Sequence, residues 1–390
     1  MRLVVSAEDG GATEGGDVDD AGLPLPAPAG PPDLADHYDL TISHPAVDTP
    51  QFVSFDRWLA RAAADLGLSC ALIHDPVVHE AVRRLTEGRL RIGYHLDYHA
   101  LWHVADDPYA RLAEAVVDAG GRSVNAPARS RAFTDKAAAH AELTRRGLGA
   151  PATVIVRPWC ADRELTAEER RRLRLDEPGA RVYVKPANGF SGHGVVRVER
   201  TDSDGFKTAL AAARNHDRRE AYLIQREVRP PRLACDDGRE RPAYWRILSY
   251  LGELIPFWWG SQAAVGPGRP SYHPVSREEV HRHRLQPLLA YTRSLGELSG
   301  LEWFSTELCL GDGPEESRFM VTTADGRTRP VLAIDYLNDQ CDVDVRSRWA
   351  GAPPDDVVRA YARRFARTAW EAKRETKGWT GNGLPLRLAA

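Results

Sequence analysis

The sequence predicts an α/β fold built from two or three packed units. A chain of 390 residues is too long for one ordinary hydrophobic core. Between residues 37 and 125, amphipathic helical segments alternate with short apolar strands, which is typical of a layered α/β unit. Further along, two strands flank a glycine-rich loop, and acidic residues interrupt two apolar strands. These observations together indicate α/β and α+β units that carry a polar site.

The composition excludes several classes of protein. Hydrophobic residues make up 43% and charged residues 27% of the sequence, as in a globular protein. The formal net charge of −3 gives no bulk positive field for nucleic acid. The longest apolar run is about six residues, far short of a membrane helix. Five scattered cysteines without a C-x-x-C pair argue against a disulfide framework and a zinc ribbon, and favour a reducing cytoplasm.

The first third of the sequence comprises a tail and a small domain. Residues 1–36 are rich in glycine, proline and acidic residues, which predicts a flexible tail. The pattern then predicts helices over 55–66, 77–85 and 109–119, and strands over 69–73 and 90–98. Residues 37–127 are therefore expected to form an N-terminal α/β domain.

A helix is predicted to begin at Thr134, as its N-cap, and to run to Arg146, with Gly147 as its left-handed exit. Lys136 then lies in the first turn, where a cation opposes the helix dipole unless an anion is close. Lysine is rare in this protein. Only five of the 52 basic residues are lysines, namely Lys136, Lys185, Lys207, Lys373 and Lys377.

The glycine-rich loop is the strongest signal in the sequence. Strands over 182–185 and 195–198 flank nine residues that include three glycines, whose backbone amides can turn inward around an anion. Neither the G-x-x-x-x-G-K-[ST] motif nor a G-x-G-x-x-G turn between a strand and a helix is present. Because the loop joins two strands, it is interpreted as a flap over phosphates. The alternative is a long hairpin loop without a ligand.

Later strands carry polar residues at regular places. A strand is predicted over 221–228, and strands over 244–251 and 254–258 form a hairpin with Gly252-Glu253 as a type II′ turn. Strands over 303–310 and 331–337 contain Glu307 and Asp335, and a helix over 355–373 follows them. Unpaired carboxylates in a buried strand are costly, and a hard divalent cation is a common way to stabilise them. Pairing with some of the many arginines is the alternative.

In their sequence order, these residues resemble the ATP-grasp superfamily of carboxylate–amine ligases. The matching positions are Asn125-x-Pro127, Asp135-Lys136, residues 148–153, Val184-Lys185-Pro186 with the glycine loop, residues 225–228, Arg246, Glu307 and residues 335–338. The resemblance implies an ATP-grasp fold in which two lobes that sandwich the nucleotide follow the small N-terminal domain. It places the small lobe with the flap at 128–228, and the large lobe with the metal site and a C-terminal helix at 229–390.

The resemblance also implies roles for individual residues. Lys136 and Lys185 would contact the phosphates of ATP, and Arg246 would hold a phosphoryl oxygen, so Arg246 and Lys185 are the catalytic candidates. The flap residues that would close over the phosphates are Gly189, Ser191, Gly192, His193 and Gly194. The hinge that would read adenine comprises Gln225, Arg226, Glu227 and Val228. The residues that would coordinate Mg²⁺ are Glu307, Asp335 and Asn338.

One spacing departs from the family pattern. Asp335 and Asn338 are three residues apart, so their side chains would face opposite sides of an ideal strand. A bulge or a turn after Tyr336 is therefore predicted. Otherwise Asp339 replaces one ligand. The hinge also carries Arg226 and Glu227 in reversed polarity from the common acidic-then-apolar pattern.

The implied activity is an ATP- and Mg²⁺-dependent, ADP-forming ligase. It would activate a carboxylate as an acylphosphate and join it to the amine of an amino acid, a peptide or a small metabolite. The alternatives are a phosphotransferase acting on a hydroxyl, an enzyme that loads an amino acid onto a carrier-protein thiol, and a nucleotide-binding scaffold without catalysis. Small molecules are the expected partners, with no nucleic acid or membrane, and a homodimer is left open.

Overall fold

The structure, a computed structural model, describes residues 34–45, 50–157, 163–189, 194–198, 203–213, 220–260, 271–313 and 315–378. Most of the predicted tail lies outside these residues, as do the predicted flap residues Ser191, Gly192 and His193. Leu34, which belongs to the predicted tail, is buried in the core of the N-terminal sheet. None of the described helices has the length and apolar character needed to cross a membrane.

The N-terminal part of the described residues contains a four-stranded parallel sheet. Its strands, in the spatial order β2-β1-β3-β4, are β1 (His37–Ser43), β2 (Cys70–Ile73), β3 (Arg91–Asp97) and β4 (Arg122–Val124). The helices of this part of the protein are α1 (Pro50–Asp65), α2 (Asp75–Thr86) and α3 (Pro108–Asp118). Strand order reverses between β1 and β3, and open α/β sheets bind ligands at the carboxyl ends of the strands beside such a reversal.

A second sheet is antiparallel and has the order β5-β8-β6-β7. Its strands are β5 (Thr153–Val156), β6 (Val182–Pro186), β7 (Val196–Val198) and β8 (Tyr222–Arg226). The helices along this stretch are α4 (Pro127–Phe133), α5 (Lys136–Arg145), α6 (Ala167–Arg172) and α7 (Ser203–Ala213). β6 and β7 are neighbours in the sheet, so the glycine-rich segment connects two antiparallel strands, as predicted.

Helix α5 begins one residue later than the sequence predicts. Its N-cap is Asp135, whose carboxylate accepts hydrogen bonds from the amides of Ala137 and Ala138. Thr134 instead ends α4, and its hydroxyl donates to the carbonyl of Ser130 at 2.9 Å. The prediction of Thr134 as N-cap is therefore wrong, because the neighbouring carboxylate caps the helix and also interacts favourably with the helix dipole.

The third sheet is antiparallel, six-stranded, and ordered β13-β12-β11-β14-β16-β15. Its strands are β11 (Tyr244–Tyr250), β12 (Glu253–Trp259), β13 (Tyr272–Pro274), β14 (Trp303–Leu310), β15 (Met320–Thr322) and β16 (Thr328–Asn338). A two-stranded ribbon precedes it, formed by β9 (Arg232–Ala234) and β10 (Glu240–Pro242). The remaining helices are α8 (Arg277–Arg282), α9 (Gln286–Ser299) and α10 (Asp355–Gly378).

The turn between β11 and β12 differs from the prediction. Tyr250 pairs with Glu253, so the turn residues are Leu251 and Gly252 rather than Gly252 and Glu253. Both have positive φ, 48° and 89°, which corresponds to a type I′ turn and not to type II′. The amide of Leu251 donates to the carbonyl of Glu302 at 2.6 Å, and this bond anchors the turn to the start of β14.

The N-terminal sheet and the six-stranded sheet share one hydrophobic core. Helix α10 packs against α1, β1 and β3, although it follows the six-stranded sheet in sequence. Trp303, the first residue of β14, contacts Phe55 of α1 and Phe365 of α10 at ring-centroid distances of 6.2 and 4.8 Å. The residues that follow β3 and β4 consequently lie beside the start of β14 and the end of β16. The four cysteines within the described residues are free thiols.

Candidate nucleotide and metal site

Lys185 connects the two antiparallel sheets. It lies near the end of β6, and its ammonium donates to Gln225 Oε1 on β8 at 2.7 Å and to the carbonyl of Ile334 on β16 at 3.0 Å. Burial lowers the pKa of Lys185, although the nearby carboxylates of Asp335 and Glu307 favour its charged form. A buried cation is thus held next to the acidic residues of the neighbouring sheet.

Lys136 approaches the same place from the N-terminus of α5. Its ammonium donates to the carbonyl of Gly189 at 2.7 Å and lies 3.9 Å from Asp335 Oδ1. Its backbone amide donates to the carbonyl of Ala187 at 2.8 Å. The start of the glycine-rich segment is therefore fastened to the first turn of α5. The two lysines that the sequence singles out both lie close to Asp335.

Arg246 and Glu307 are opposite each other on β11 and β14. Arg246 Nη1 lies 3.3 Å from Glu307 Oε1, and Nη2 donates to Ser305 Oγ at 3.0 Å. The guanidinium also lies 4.9 Å from the centre of the Trp259 ring, within cation–π range. Although burial disfavours the charge, the neighbouring Tyr272 and Glu307 raise the pKa of Arg246.

Glu307 and Asp335 also face each other, across β14 and β16. Burial raises the pKa of Glu307, and the like charge of Asp335 acts in the same direction. Burial acts on Asp335 in the same way, but Lys136 and Lys185 outweigh it and hold the pKa of Asp335 below its ordinary value. Asp335 Oδ1 is buried and accepts no hydrogen bond within the described residues. Such an oxygen is available to a cation.

A bulge in β16 brings Asn338 next to Asp335, as the spacing of these residues predicts. Ser305 pairs with Asn338 and Glu307 pairs with Asp335, so two steps along β14 match three along β16. The extra residue turns both side chains to one face. Asn338 Nδ2 donates to Asp335 Oδ2 at 3.2 Å. The three predicted metal ligands therefore lie together at one end of the β14–β16 pair.

The donor set suits a hard cation. Two carboxylates and one amide oxygen are ligands that Mg²⁺ prefers, with water or phosphate oxygens completing the shell. Within the described ranges, no group of three or more His, Cys, Asp or Glu side chains could hold a metal ion by itself. Glu307, Asp335 and Asn338 fit an ion that shares its coordination with a bound phosphate.

Asp339 is engaged elsewhere. Its Oδ2 accepts a hydrogen bond from Trp102 Nε1 at 2.6 Å, and its carbonyl accepts one from Asn125 Nδ2 at 2.9 Å. Both donors belong to the N-terminal part of the protein. This arrangement favours Asn338 over Asp339 as the partner of Asp335, since Asn338 contacts Asp335 directly.

The predicted hinge residues lie at the end of β8, where most of their polar groups already have partners. Gln225 binds Lys185, and Arg226 binds Asp312 and Glu315. The amides of Arg226 and Glu227 donate to the carbonyls of Ala152 and Arg181, both at 2.9 Å. Among the residues that the structure describes, no hydrogen bond uses the backbone of Val228. The backbone of Val228 is therefore the candidate for contact with adenine.

Only the ends of the predicted flap fall within the described residues. The carbonyl of Gly189 holds Lys136, and Gly194 adopts a φ of 72°, which favours glycine. Ser191, Gly192 and His193 lie outside the described residues, so their role as phosphate ligands stays a prediction.

Sequence reasoning did not identify two polar residues of the site. Tyr244 donates from its hydroxyl to Glu307 Oε2, and Ser305 accepts from Arg246. Each lies two residues from a predicted site residue on the same strand, and alternate residues of a strand share a face. This two-residue periodicity of strands could have identified both residues from the sequence.

Comparison with known proteins agrees with this architecture. No protein-family model matches the sequence. The D-alanine–D-alanine ligase of Mycolicibacterium smegmatis is 39% identical over 113 residues, which are 28% of this protein and 28% of that one. The D-alanine–D-alanine ligase of an Arthrobacter species is 34% identical over 133 residues, or 32% of this protein and 30% of that one. The matched stretches thus span about a third or less of these curated relatives.

Solved structures match over nearly the whole length. The D-alanine–D-alanine ligase of Bacillus anthracis matches with a TM-score of 0.53 and 12% identity over 88% of this protein and 99% of that structure. D-cycloserine synthetase DcsG matches with a TM-score of 0.51 and 16% identity over 86% of this protein and 99% of that structure. A RimK domain ATP-grasp protein of Sphaerobacter thermophilus matches with a TM-score of 0.50 and 17% identity over 84% and 99%. The protein therefore has the ATP-grasp fold.

Proposed function

We propose that this protein is an ATP- and Mg²⁺-dependent ligase that joins a carboxylate to an amine and releases ADP and phosphate. The proposal rests above all on the convergence of two opposite sets of charges. Lys136, Lys185 and Arg246 surround the carboxylates of Glu307 and Asp335. The carboxylates of such a cluster attract a metal ion and its cations attract a triphosphate, so each ligand would neutralise part of its charge.

In the proposed enzyme, Glu307, Asp335 and Asn338 hold the metal. When bound, the ion neutralises charge on the phosphate oxygens during phosphoryl transfer. Lys136 and Lys185 would bind the phosphates, and Arg246 would hold the oxygens of the transferred group. Because these charges are fixed before the reaction, they stabilise the transition state without reorganisation.

Exclusion of water is the second requirement. An acylphosphate hydrolyses readily, so the segment between β6 and β7 would have to cover it until the amine attacks. The contact of Lys136 with Gly189 supports this role, because it ties the base of the flap to a phosphate-binding side chain. In this proposal the lobes over 128–228 and 229–390 enclose the nucleotide, and the backbone of Val228 reads the adenine edge.

The matched relatives suggest where to look for substrates. The curated relatives are D-alanine–D-alanine ligases. Small L- and D-amino acids are therefore the first carboxylates and amines to test as substrates. A structure of the Bacillus anthracis ligase in complex with ATP also matches, with a TM-score of 0.53. This supports ATP as the nucleotide.

The test is an ADP-release assay with the full-length protein, ATP and Mg²⁺, against a panel of carboxylates and amines supplied singly and in pairs. A ligase releases ADP only when both partners are present, and mass spectrometry then finds the amide. ADP release with a polyol alone would show a phosphotransferase instead, and a thioester product would show thiol loading. ATP binding without turnover on any pair would favour the scaffold and contradict the proposal.

A further inference from the structure

Both the NH₂ group and the carbonyl oxygen of the Asn125 side chain make hydrogen bonds. All of their partners are residues of the six-stranded sheet or neighbours of its strands in sequence. It follows β4 and is 3% exposed. Its Nδ2 donates to the carbonyls of Trp303 at 2.6 Å and of Asp339 at 2.9 Å. Its Oδ1 accepts from the amides of Glu302 at 2.8 Å and of Trp303 at 2.9 Å. These four bonds use its full capacity.

The partners of Asn125 lie at the ends of the two metal-binding strands. Trp303 is the first residue of β14, two residues before Ser305, and Asp339 directly follows Asn338 at the end of β16. Here the register between the strands shifts, and a bulge interrupts the regular ladder of backbone hydrogen bonds. Asn125 bridges the ends of the two strands just outside the irregular stretch, whose register shifts lie between Ser305 and Leu308.

Trp102, which precedes α3 in the N-terminal part of the protein, also binds Asp339. It is 5% exposed, and its indole Nε1 donates to Asp339 Oδ2 at 2.6 Å. Arg131 fixes Trp102 in turn, because its Nη1 donates to the Trp102 carbonyl at 3.1 Å. Asp339 is therefore held at its carbonyl by Asn125 and at its carboxylate by Trp102.

We propose that Asn125, assisted by Trp102, is a positioning residue for the metal site: the two side chains set the position of Asn338 and Asp335 relative to Glu307. This inference rests on the proposed function, since it presumes that these three residues bind a metal. Partners that orient metal ligands are typically worth about 10- to 100-fold in metal affinity. The N-terminal domain would thus act on the metal site without contacting the metal.

The experiment measures binding of Mn²⁺, a paramagnetic substitute for Mg²⁺, to the complex of the full-length protein with a non-hydrolysable ATP analogue, by electron paramagnetic resonance. Asn125→Ala should weaken Mn²⁺ binding by about 10-fold or more. Trp102→Phe, which removes the indole N–H together with part of the ring, should weaken it by a smaller factor. Affinity for the analogue without metal should stay within about two-fold of wild type in both variants.

A matched control is Thr41→Val, which removes a buried hydrogen bond to His95 in the same domain, 2.9 Å long and remote from Asp339 in sequence. It should leave Mn²⁺ binding unchanged. Hydrogen exchange gives a second readout, because the amides of residues 338–341 should exchange faster in Asn125→Ala and not in Thr41→Val.

Wild-type Mn²⁺ affinity in a folded Asn125→Ala variant would overturn the positioning role. If that variant does not fold, wild-type affinity in Trp102→Phe overturns it instead. Equal losses in the Thr41→Val control would also overturn it, since they would indicate general destabilisation. If the wild-type complex itself binds no Mn²⁺, the proposed metal site fails and this inference fails with it, which separates the two outcomes.

Discussion

Lys185 has hydrogen-bonding partners on two different sheets, Gln225 Oε1 and the carbonyl of Ile334. Burial lowers the pKa of Lys185, and the acidic neighbours Asp335 and Glu307 offset part of this effect. In the proposed enzyme this ammonium is already desolvated before a phosphate binds, so little reorganisation accompanies the reaction. Its contribution to the transition state should therefore be large.

Replacing Lys185 with methionine keeps most of the length of the side chain and removes the charge. We expect ADP release to fall by about 100- to 1,000-fold, the usual effect of losing one preorganised charge-stabilising donor. Lys207→Met on α7 is the matched control and should keep wild-type turnover. ADP release is the measurement, and circular dichroism checks the fold. Turnover near wild type in a folded Lys185→Met variant would remove Lys185 from the site.

The burial of two histidines should make the stability of the protein depend on pH. Burial lowers the pKa of His140 to about 4 and that of His95 to about 3, whereas both titrate near about 6.5 in an unfolded chain. As the pH falls from about 6.5 to 4, the unfolded state takes up protons that the folded state does not bind. The free energy of unfolding should therefore decrease, by at most about 1.4 kcal/mol per pH unit for each histidine.

Chemical unfolding at several pH values checks this expectation. His140→Gln keeps a polar partner for Tyr336, whose hydroxyl lies 2.8 Å from His140 Nδ1, and it should flatten the dependence between pH 6.5 and 4. His79→Gln, an exposed position on α2, should leave the slope unchanged. Identical slopes in wild type and His140→Gln would show that His140 does not stay neutral in the folded state.

Among the secondary-structure elements, those with a clear apolar pattern could be predicted from the sequence. β14 spans the predicted residues 303–310, and α10 begins at the predicted Asp355. The bulge in β16 was predictable because the three-residue spacing of Asp335 and Asn338 demands an extra residue.

Other elements were not predictable, for physical reasons. β1 was missed because its buried Asp39 and Thr41 give it a polar appearance, and both are satisfied by partners far away in sequence, Ser69 and His95. The turn at Leu251 depends on a hydrogen bond to Glu302. The links of Asn125 depend on which strand ends meet in the folded protein. Linear spacing carries none of this information.

At the scale of the whole molecule, ionic contacts join the two antiparallel sheets beside the hinge. Arg226, at the end of β8, donates from Nε to Glu315 Oε1 at 2.7 Å and from Nη2 to Asp312 Oδ1 at 2.8 Å. Its side chain and that of Glu315 are each 8% exposed. The amide of Arg229 donates to Asp312 Oδ2 at 2.9 Å. A buried cluster thus fixes one sheet relative to the other at the point where the backbone passes between them.

Arg226→Met should weaken the attachment of one antiparallel sheet to the other. Removing one partner of a buried ion pair leaves Asp312 and Glu315 without their counter-charge, and we expect a loss of about 3 kcal/mol in the free energy of unfolding. Because Lys185, proposed to bind phosphate, and the carboxylates proposed to bind the metal lie on different sheets, the KM for ATP should rise as well. Arg232→Met is the matched control, since Arg232 is 58% exposed and its partner Glu240 lies 3.7 Å away at the surface. Denaturant unfolding and ATP kinetics measure both effects, and equal results for the two variants would mean that the cluster does not hold the sheets together.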